Sequence, residues 1–183
     1  VDRIVEHGAD AVWVATFHST CARILRRYID CLGYKTSFTI YDTDDQKALM
    51  KEVCKTLQID THLLKEKQIL SAISAAKNEL IGPQEFGDTC YDYFSLKIHA
   101  AYEAYQQELK KNNALDFDDL LMLTVELFEK EPMVLAQYRN RFRFIMVDEY
   151  QDTNTAQFRL ISLLAGENGN LCVVGDDDQS IYS

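Results

Sequence analysis

Proline and glycine are scarce, at 2 and 7 of 183 residues. That scarcity argues against a linker-rich or disordered chain. No apolar run approaches the ~20 residues of a membrane-spanning helix, so no membrane association is read. The opening Val1-Asp2-Arg3-Ile4-Val5-Glu6-His7 has no basic segment leading into an apolar block, so no secretory signal is read there. It also lacks an initiating Met, as a fragment or a processed chain would. No Cys-x-x-Cys occurs, and the five cysteines at 21, 31, 54, 90 and 172 are odd in number. The expectation is buried free thiols in a reducing cytoplasm rather than a disulfide framework. The four histidines, at 7, 18, 62 and 99, have no metal-ligand spacing. Positive charge is short as well: 19 basic residues against 29 acidic ones leave a net charge of −10, which argues against a general nucleic-acid-binding surface.

Hydrophobic residues make up 47% of the chain, enough for a core in one domain or in one domain carrying an insert. The charge is uneven. Residues 43–138 carry ten basic and seventeen acidic residues, whereas residues 1–42 carry five of each. Any contact with nucleic acid would therefore be local. Arg23, Arg26 and Arg27 form the one basic cluster of the first third, and a solvated helix face is preferred for them over a phosphate-binding stripe.

Ala11 to Thr16 reads as a first buried strand, and Phe17-His18-Ser19 as a turn. Ser19 or Thr20 is placed to cap the next helix. Cys21, Ile24, Leu25, Tyr28, Ile29 and Leu32 give that helix an apolar stripe, and Gly33 is its left-handed stop. Phe38 to Tyr41 reads as a short strand. From Asp42 to about Asn113 the pattern is helical only. Thr43-Asp44-Asp45-Gln46 has the form of a capping box and opens a helix to about Leu57. A second helix runs from about Glu66 to Glu79, ended by Ile81-Gly82-Pro83. A third carries Phe94, Ile98, Ala101, Tyr102, Tyr105 and Leu109 on one face. A further helix begins within Leu115-Asp116-Phe117-Asp118-Asp119, its acid-rich first turn suited to the helix dipole. Pro132 starts another.

Phe144-Ile145-Met146-Val147 then runs into Asp148-Glu149. Four apolar residues in a row suit a strand buried on both faces, as in a parallel sheet. Asn154 caps a helix through Phe158, Ile161, Leu164 and Ala165, ended by Gly166. Leu171-Cys172-Val173-Val174 is the next strand, and Gly175-Asp176-Asp177-Asp178-Gln179 follows it. Two acid-tipped strands joined by one helix make a βαβ unit with parallel strands. Both acidic clusters then fall on the edge where open α/β sheets bind ligands. Asp there can hold Mg²⁺, and Glu can polarise an attacking water. A nucleotide site also needs a phosphate cradle, Gly-x-x-x-x-Gly-Lys-Ser/Thr. Gly82 and Gly87 have the spacing, but Asp88-Thr89 follows where Lys-Ser/Thr is required, and the segment follows a helix instead of a strand. The 183 residues contain no such cradle.

Val147-Asp148-Glu149-Tyr150-Gln151-Asp152-Thr153-Asn154 resembles motif II of the UvrD/PcrA/Rep family of superfamily-one DNA helicases. Val174-Gly175-Asp176-Asp177-Asp178-Gln179-Ser180-Ile181-Tyr182 resembles its motif III, and Thr16-Phe17-His18-Ser19 its motif Ib. Leu115-Asp116-Phe117-Asp118-Asp119-Leu120 resembles a further motif that precedes motif II. The four stand in the family's order across the whole chain.

The resemblance implies an α/β fold, a partial RecA-like parallel sheet of the P-loop NTPase type with an inserted all-helical subdomain. Residues 1–42 and 114–183 would belong to the RecA-like domain and 43–113 to the insert. It implies ATP and Mg²⁺ as cofactors, with Asp148 on the metal, Glu149 as catalytic base and Gln179 sensing the γ-phosphate. Gln151 would join Asp148, Glu149 and Gln179 among the residues that bind the nucleotide, and Gln151 and Asp152 would support or couple that site. Thr16, Phe17, His18 and Tyr182 would line the path of single-stranded DNA. Spacing alone leaves Phe17 and Tyr182 as ordinary core aromatics and His18 as a residue that closes a turn. The resemblance places the cradle before Val1 and the second RecA-like domain after Ser183. It implies an ATP-dependent helicase that moves on single-stranded DNA, 3′ to 5′, and unwinds duplex, with repair or replication proteins as partners and a cytoplasmic location. Residues 1–183 alone are expected to be inactive. Two other readings stay open: a non-catalytic protein- or DNA-interaction module, and part of a helicase–nuclease subunit.

Overall fold

The computed structural model describes residues 12–167 and 169–176. It is a mixed α/β structure, mostly helical, with two small parallel sheets. The first helix, α1 (Phe17–Tyr28), starts earlier than its sequence pattern indicates. Thr16 is the N-cap, its hydroxyl accepting from the Ser19 amide at 3.2 Å. Phe17, His18 and Ser19 are thus a first helical turn, and neither Ser19 nor Thr20 caps. A 3₁₀ turn, Ile29–Leu32, follows, and Gly33 ends it at φ 78°, in the left-handed region. Residues 12–16 form no strand, and Val12 and Val14 are exposed. Among the described residues this segment finds no neighbouring strand, and without a ladder an apolar run does not become one.

Strand β1 (Thr39–Ile40) pairs in parallel with β2 (Ala114–Leu115). The second of these was not read from sequence, because two residues carry no periodicity. Between them lie α2 (Thr43–Thr56), α3 (Glu66–Asn78), α4 (Pro83–Asp88) and α5 (Tyr93–Lys111). The α2 capping box is one residue earlier than the sequence pattern placed it: Asp42 caps the amides of Asp44 and Asp45. The Gly82–Gly87 pair lies at α4, where Gly82 is its N-cap and a Cβ on Gly87 would sit 2.6 Å from His99 Nε2. That is helix packing and not a phosphate loop.

Helix α6 (Phe117–Lys130) follows β2, capped by Asp116, and α7 (Pro132–Arg141) begins on Pro132. Strand β3 (Ile145–Val147), α8 (Thr155–Ala165) and β4 (Leu171–Val173) form the expected parallel unit, with Ile145 opposite Leu171 and Val147 opposite Val173. β3 is not buried on both faces. Val147 is buried and Ile145 packs on the core, but Phe144 and Met146 are 82% and 76% exposed. Side chains alternate along a strand, and helices cover only the odd-numbered side.

Among the described residues, two apolar clusters form the core. One gathers Cys21, Ile24, Leu25 and Ile29 with Phe38, Leu120, Leu127, Phe128, Tyr138 and Leu160, joining α1, α6, α7 and α8. The other gathers Met50, Val53, Ile69, Ile73, Tyr102, Tyr105 and Leu109 from α2, α3 and α5. All five thiols are free. Cys21, Cys54 and Cys90 are buried as expected, whereas Cys31 and Cys172 are exposed. Burial pushes the Cys21 thiol up to about 12, so it stays protonated and inert.

The clusters are stitched together at α8. Asn154 caps that helix through the Gln157 amide at 2.8 Å, and its Nδ2 donates to Asn78 Oδ1 of α3 at 2.6 Å. Replacing it removes a cap and a cross-link together. Asn154→Ala is expected to cost about 1–2 kcal/mol, read as a lower urea midpoint with an unchanged slope. A midpoint equal to that of the unsubstituted chain would show that neither bond contributes.

Candidate functional site

Asp148 and Glu149 stand at the carboxyl end of β3, and both are exposed. The chain turns sharply there. Glu149 has φ 53° and ψ 41°, in the left-handed region that a residue with a Cβ rarely occupies. Strain of this kind, of order 1–3 kcal/mol, persists only where the surroundings enforce it and clusters at functional sites. The enforcing contacts are the ends of the two strands. Val174 N donates to Val147 O at 2.8 Å, and Tyr150 N donates to Val174 O at 3.0 Å. The ladder thus continues past β4 and holds the turn Tyr150–Asp152, a short 3₁₀ segment, against it.

Gln151 sits in that turn. Its Nε2 donates to Glu149 Oε2 at 2.6 Å, and its Oε1 accepts from the Asp176 amide at 3.1 Å. Asp148 Oδ1 accepts from the Glu149 amide at 3.0 Å. Asp148 therefore offers a hard oxygen donor to solvent. Among the described residues no cluster of three or more His, Cys, Asp or Glu side chains assembles a metal site. Mg²⁺ does not need one, since it is commonly held by one or two carboxylates with waters and substrate phosphates. Asp148 and Glu149 fit that pattern. Asp176 is placed beside them by β4. Gln179 and Tyr182 lie outside the described residues.

The candidate DNA residues are elsewhere, at the start of α1. The Thr16 hydroxyl is taken up by capping, and Phe17 packs partly on the first core. His18 is half-buried, edge-on to Phe117 with ring centroids 6.0 Å apart. Phe117 is 46% exposed at the first turn of α6, so two separate motifs meet at one aromatic pair. In the sequence, the only mark of Phe117 is an aromatic ring flanked by Asp116 and Asp118 in a first helical turn.

Arg23, Arg26 and Arg27 of α1 are exposed, as expected of a solvated face, and Arg23 and Arg26 also make contacts of their own. Arg26 donates to Thr36 O at 3.0 Å and to Phe38 O, with its guanidinium 3.8 Å from the Phe38 ring centre. Arg23 and Arg141 both stack on Trp13, at 5.0 and 4.8 Å. A planar guanidinium can lie against an aromatic face and be held there by cation–π attraction. Arg23 and Arg26 therefore fasten the Trp13 segment and the loop before β1.

Behind Phe117 lies a buried ionic cluster. Lys77 Nζ of α3 donates to Asp116 Oδ2 at 2.7 Å and to Asp119 Oδ1 at 2.8 Å. Tyr105 Oη donates to Asp116, and Gln106 Nε2 donates to Asp119. Burial, then Asp116, push the Asp119 carboxyl up to about 6, against the pull of Lys77. Burial alone would lower Lys77, yet the two carboxylates overcome it and hold its proton above the usual range. The two carboxylates together raise Lys77, whereas burial and the neighbouring Asp116 outweigh the single ammonium at Asp119. The acidic turn of α6 thus faces a lysine as well as the helix dipole. The signal was present in α3: Ile69, Ile73 and Lys77 fall at i, i+4 and i+8, a lysine on the buried stripe.

A parallel strand pair with an acidic pair at its carboxyl edge presents those carboxylates where open α/β sheets bind ligands. The family model described as UvrD/REP helicase N-terminal domain matches residues 1–183, and the chain belongs to that family. Over 182 residues it is 49% identical to the ATP-dependent DNA helicase PcrA of Staphylococcus aureus strain Mu50, covering 100% of this chain and 25% of that protein. It is 48% identical to the ATP-dependent DNA helicase PcrA of Staphylococcus epidermidis over the same shares. The chain spans about a quarter of the length of these curated relatives. No helix among the described residues is long and apolar enough to cross a membrane.

Proposed function

We propose that this chain supplies the metal- and water-handling half of the ATP site, and part of the DNA path, of an ATP-dependent helicase that moves 3′ to 5′ on single-stranded DNA and unwinds duplex. The observation that carries it is the Asp148–Glu149 pair at the carboxyl edge of β3 and β4, in a chain of this family. In this reading β3, α8 and β4 belong to a RecA-like domain, and residues 43–113 form its helical insert.

Asp148 would hold Mg²⁺ together with oxygens of the nucleotide, where the cation neutralises charge on the phosphates. Glu149 would orient the attacking water and take its proton, so that the water oxygen bonds to the terminal phosphorus while the bond from that phosphorus to the bridging oxygen breaks and ADP leaves with the electron pair. Its open, strained position at the strand end suits a side chain that must face a substrate. Gln179 would couple the terminal phosphate to the DNA path. Thr16, Phe17, His18 and Tyr182 would line that path, joined by Phe117, whose exposed ring offers a base a stacking surface.

The test compares the full-length protein with residues 1–183. The full-length protein is expected to hydrolyse ATP with Mg²⁺, stimulated by single-stranded DNA, and to unwind duplexes bearing a 3′ single-stranded tail. Residues 1–183, whose sequence has no Gly-x-x-x-x-Gly-Lys-Ser/Thr, are expected to show no turnover above background. Turnover by 1–183 at the full-length rate would overturn the half-site reading. DNA-independent behaviour of the full-length protein would overturn the helicase reading.

A further inference from the structure

We infer that Gln151 is a positioning residue for Glu149. It tethers the carboxylate to the backbone at the end of β4, so the orientation of the base follows the strand that leads to the second acidic cluster. The inference rests on the assignment of Glu149 as the base. It departs from reading Gln151 as a nucleotide ligand, because both ends of its amide are already engaged. Nε2 donates to Glu149 Oε2 at 2.6 Å, a charge-assisted bond, and Oε1 accepts from Asp176 N at 3.1 Å. An amide is the side chain that serves here, since it donates at one end and accepts at the other. A carboxylate at 151 would set oxygen against oxygen at Glu149.

Gly175 supplies a second, independent observation. A Cβ there would lie 2.8 Å from Gln151 Oε1 and 3.4 Å from the Gln151 backbone nitrogen. The absence of a side chain at 175 is what leaves room for the bridge. Gly175 has no left-handed φ, so backbone conformation does not account for the glycine. Glu149 does occupy the left-handed region, at φ 53°. Its carboxylate lies within hydrogen-bond reach of a residue only two positions on. A backbone turn and a missing Cβ thus converge on one amide.

The consequence is a mechanical link with few parts. Any displacement of the segment after β4 moves the Asp176 amide, and Gln151 passes that movement to Glu149. Loss of the link should leave substrate binding alone and impair the chemical step, because only the orientation of the base changes.

The experiment uses the full-length protein with Gln151→Ala, Gln151→Glu, Gly175→Ala, Glu149→Gln and the double variant Gln151→Ala/Glu149→Gln. Steady-state ATP turnover with single-stranded DNA gives kcat and KM, and a fluorescent ATP analogue gives Kd. Hydrogen exchange at the Asp176 amide is followed without nucleotide. Gln151→Ala is expected to lower kcat about tenfold to a hundredfold, the range for a misplaced catalytic group, with KM and Kd within about twofold. Its Asp176 amide should exchange faster. Gly175→Ala should reproduce both effects with Gln151 in place. Gln151→Glu should keep the Asp176 amide protected yet lose kcat, since only the donor end is gone. The double variant should be no slower than Glu149→Gln alone. A rise in KM and Kd at unchanged kcat would overturn the inference in favour of a nucleotide contact. So would a double variant whose losses multiply, or an unchanged Asp176 amide in Gln151→Ala. Full turnover by Glu149→Gln would overturn the base assignment itself, and this inference with it, whereas multiplied losses overturn the inference alone.

Discussion

Glu149→Gln in the full-length protein is expected to bind ATP as tightly as the unsubstituted protein and to lose about 10²- to 10⁴-fold in turnover, the range for removing a general base. The substitution is nearly isosteric. The new side-chain oxygen can still accept from Gln151 Nε2, so the bridge to the end of β4 can persist. What the amide cannot do is take a proton. Since ground-state contacts are kept, the loss should appear in kcat and not in KM. DNA-stimulated turnover measured beside the Kd of a fluorescent ATP analogue separates the two. A loss smaller than about tenfold, or 1.4 kcal/mol in the barrier, would remove Glu149 from the role of base. Asp148→Asn should behave differently, weakening the Mg²⁺ dependence of binding.

Lys77→Met is expected to destabilise the chain by about 3–5 kcal/mol at pH 8, the cost of leaving buried charge without its partner. Lys77 is 1% exposed, and Asp116 and Asp119 are 2% and 1% exposed, so water cannot replace the lost ammonium. Methionine fills much of the space left by the lysine stem, which isolates the electrostatic part. The penalty should depend on pH. Asp119 is already pushed up to about 6 by burial and by Asp116, with Lys77 opposing them. Its unfolded value is near ~3.9. A carboxyl raised in the folded state binds its proton more tightly there than in the unfolded chain. Its favourable contribution is therefore present below ~4 and is lost as pH rises through about 6. Removing Lys77 takes away the opposing charge and extends that window upward. The deficit of Lys77→Met should accordingly shrink between pH 8 and pH 5, read from urea midpoints. Adding Asp116→Asn and Asp119→Asn should recover part of it at pH 8, because a neutral buried set has no unpaired charge. A deficit under ~1 kcal/mol at pH 8, or one that grows on acidification, would contradict this account.

Both predictions concern places where a polar group acts across elements, and there reading residues in order has the least purchase. The helices were legible because each carries its own signals: the stripe Cys21–Ile24–Leu25, the proline opening α7, Asn154 before α8. Where several polar residues adjoin, the starts lie one to four residues from the caps the sequence pattern indicates. Thr16, Ser19 and Thr20 are all competent caps, and only the path of the chain selects Thr16. The segment before α1 and the outer face of β3 were read as buried because apolar runs say what a residue favours, not what stands beside it. Val14 and Met146 are exposed for want of a neighbour among the described residues.

By itself, the sequence determined the family, the parallel βαβ unit and the identity of the acidic pair at its edge. These are local: an apolar run, a capped helix and a second apolar run specify a crossover, and the motif residues follow one another in the chain. Tertiary structure alone decided what those residues touch. It set Gln151 between Glu149 and the Asp176 amide, brought Phe117 to His18, and buried Lys77 between two aspartates about forty residues downstream. The physical reason is range. Helix periods and capping are written within a few residues, whereas hydrogen bonds and ion pairs form between groups that meet only once the apolar faces have packed.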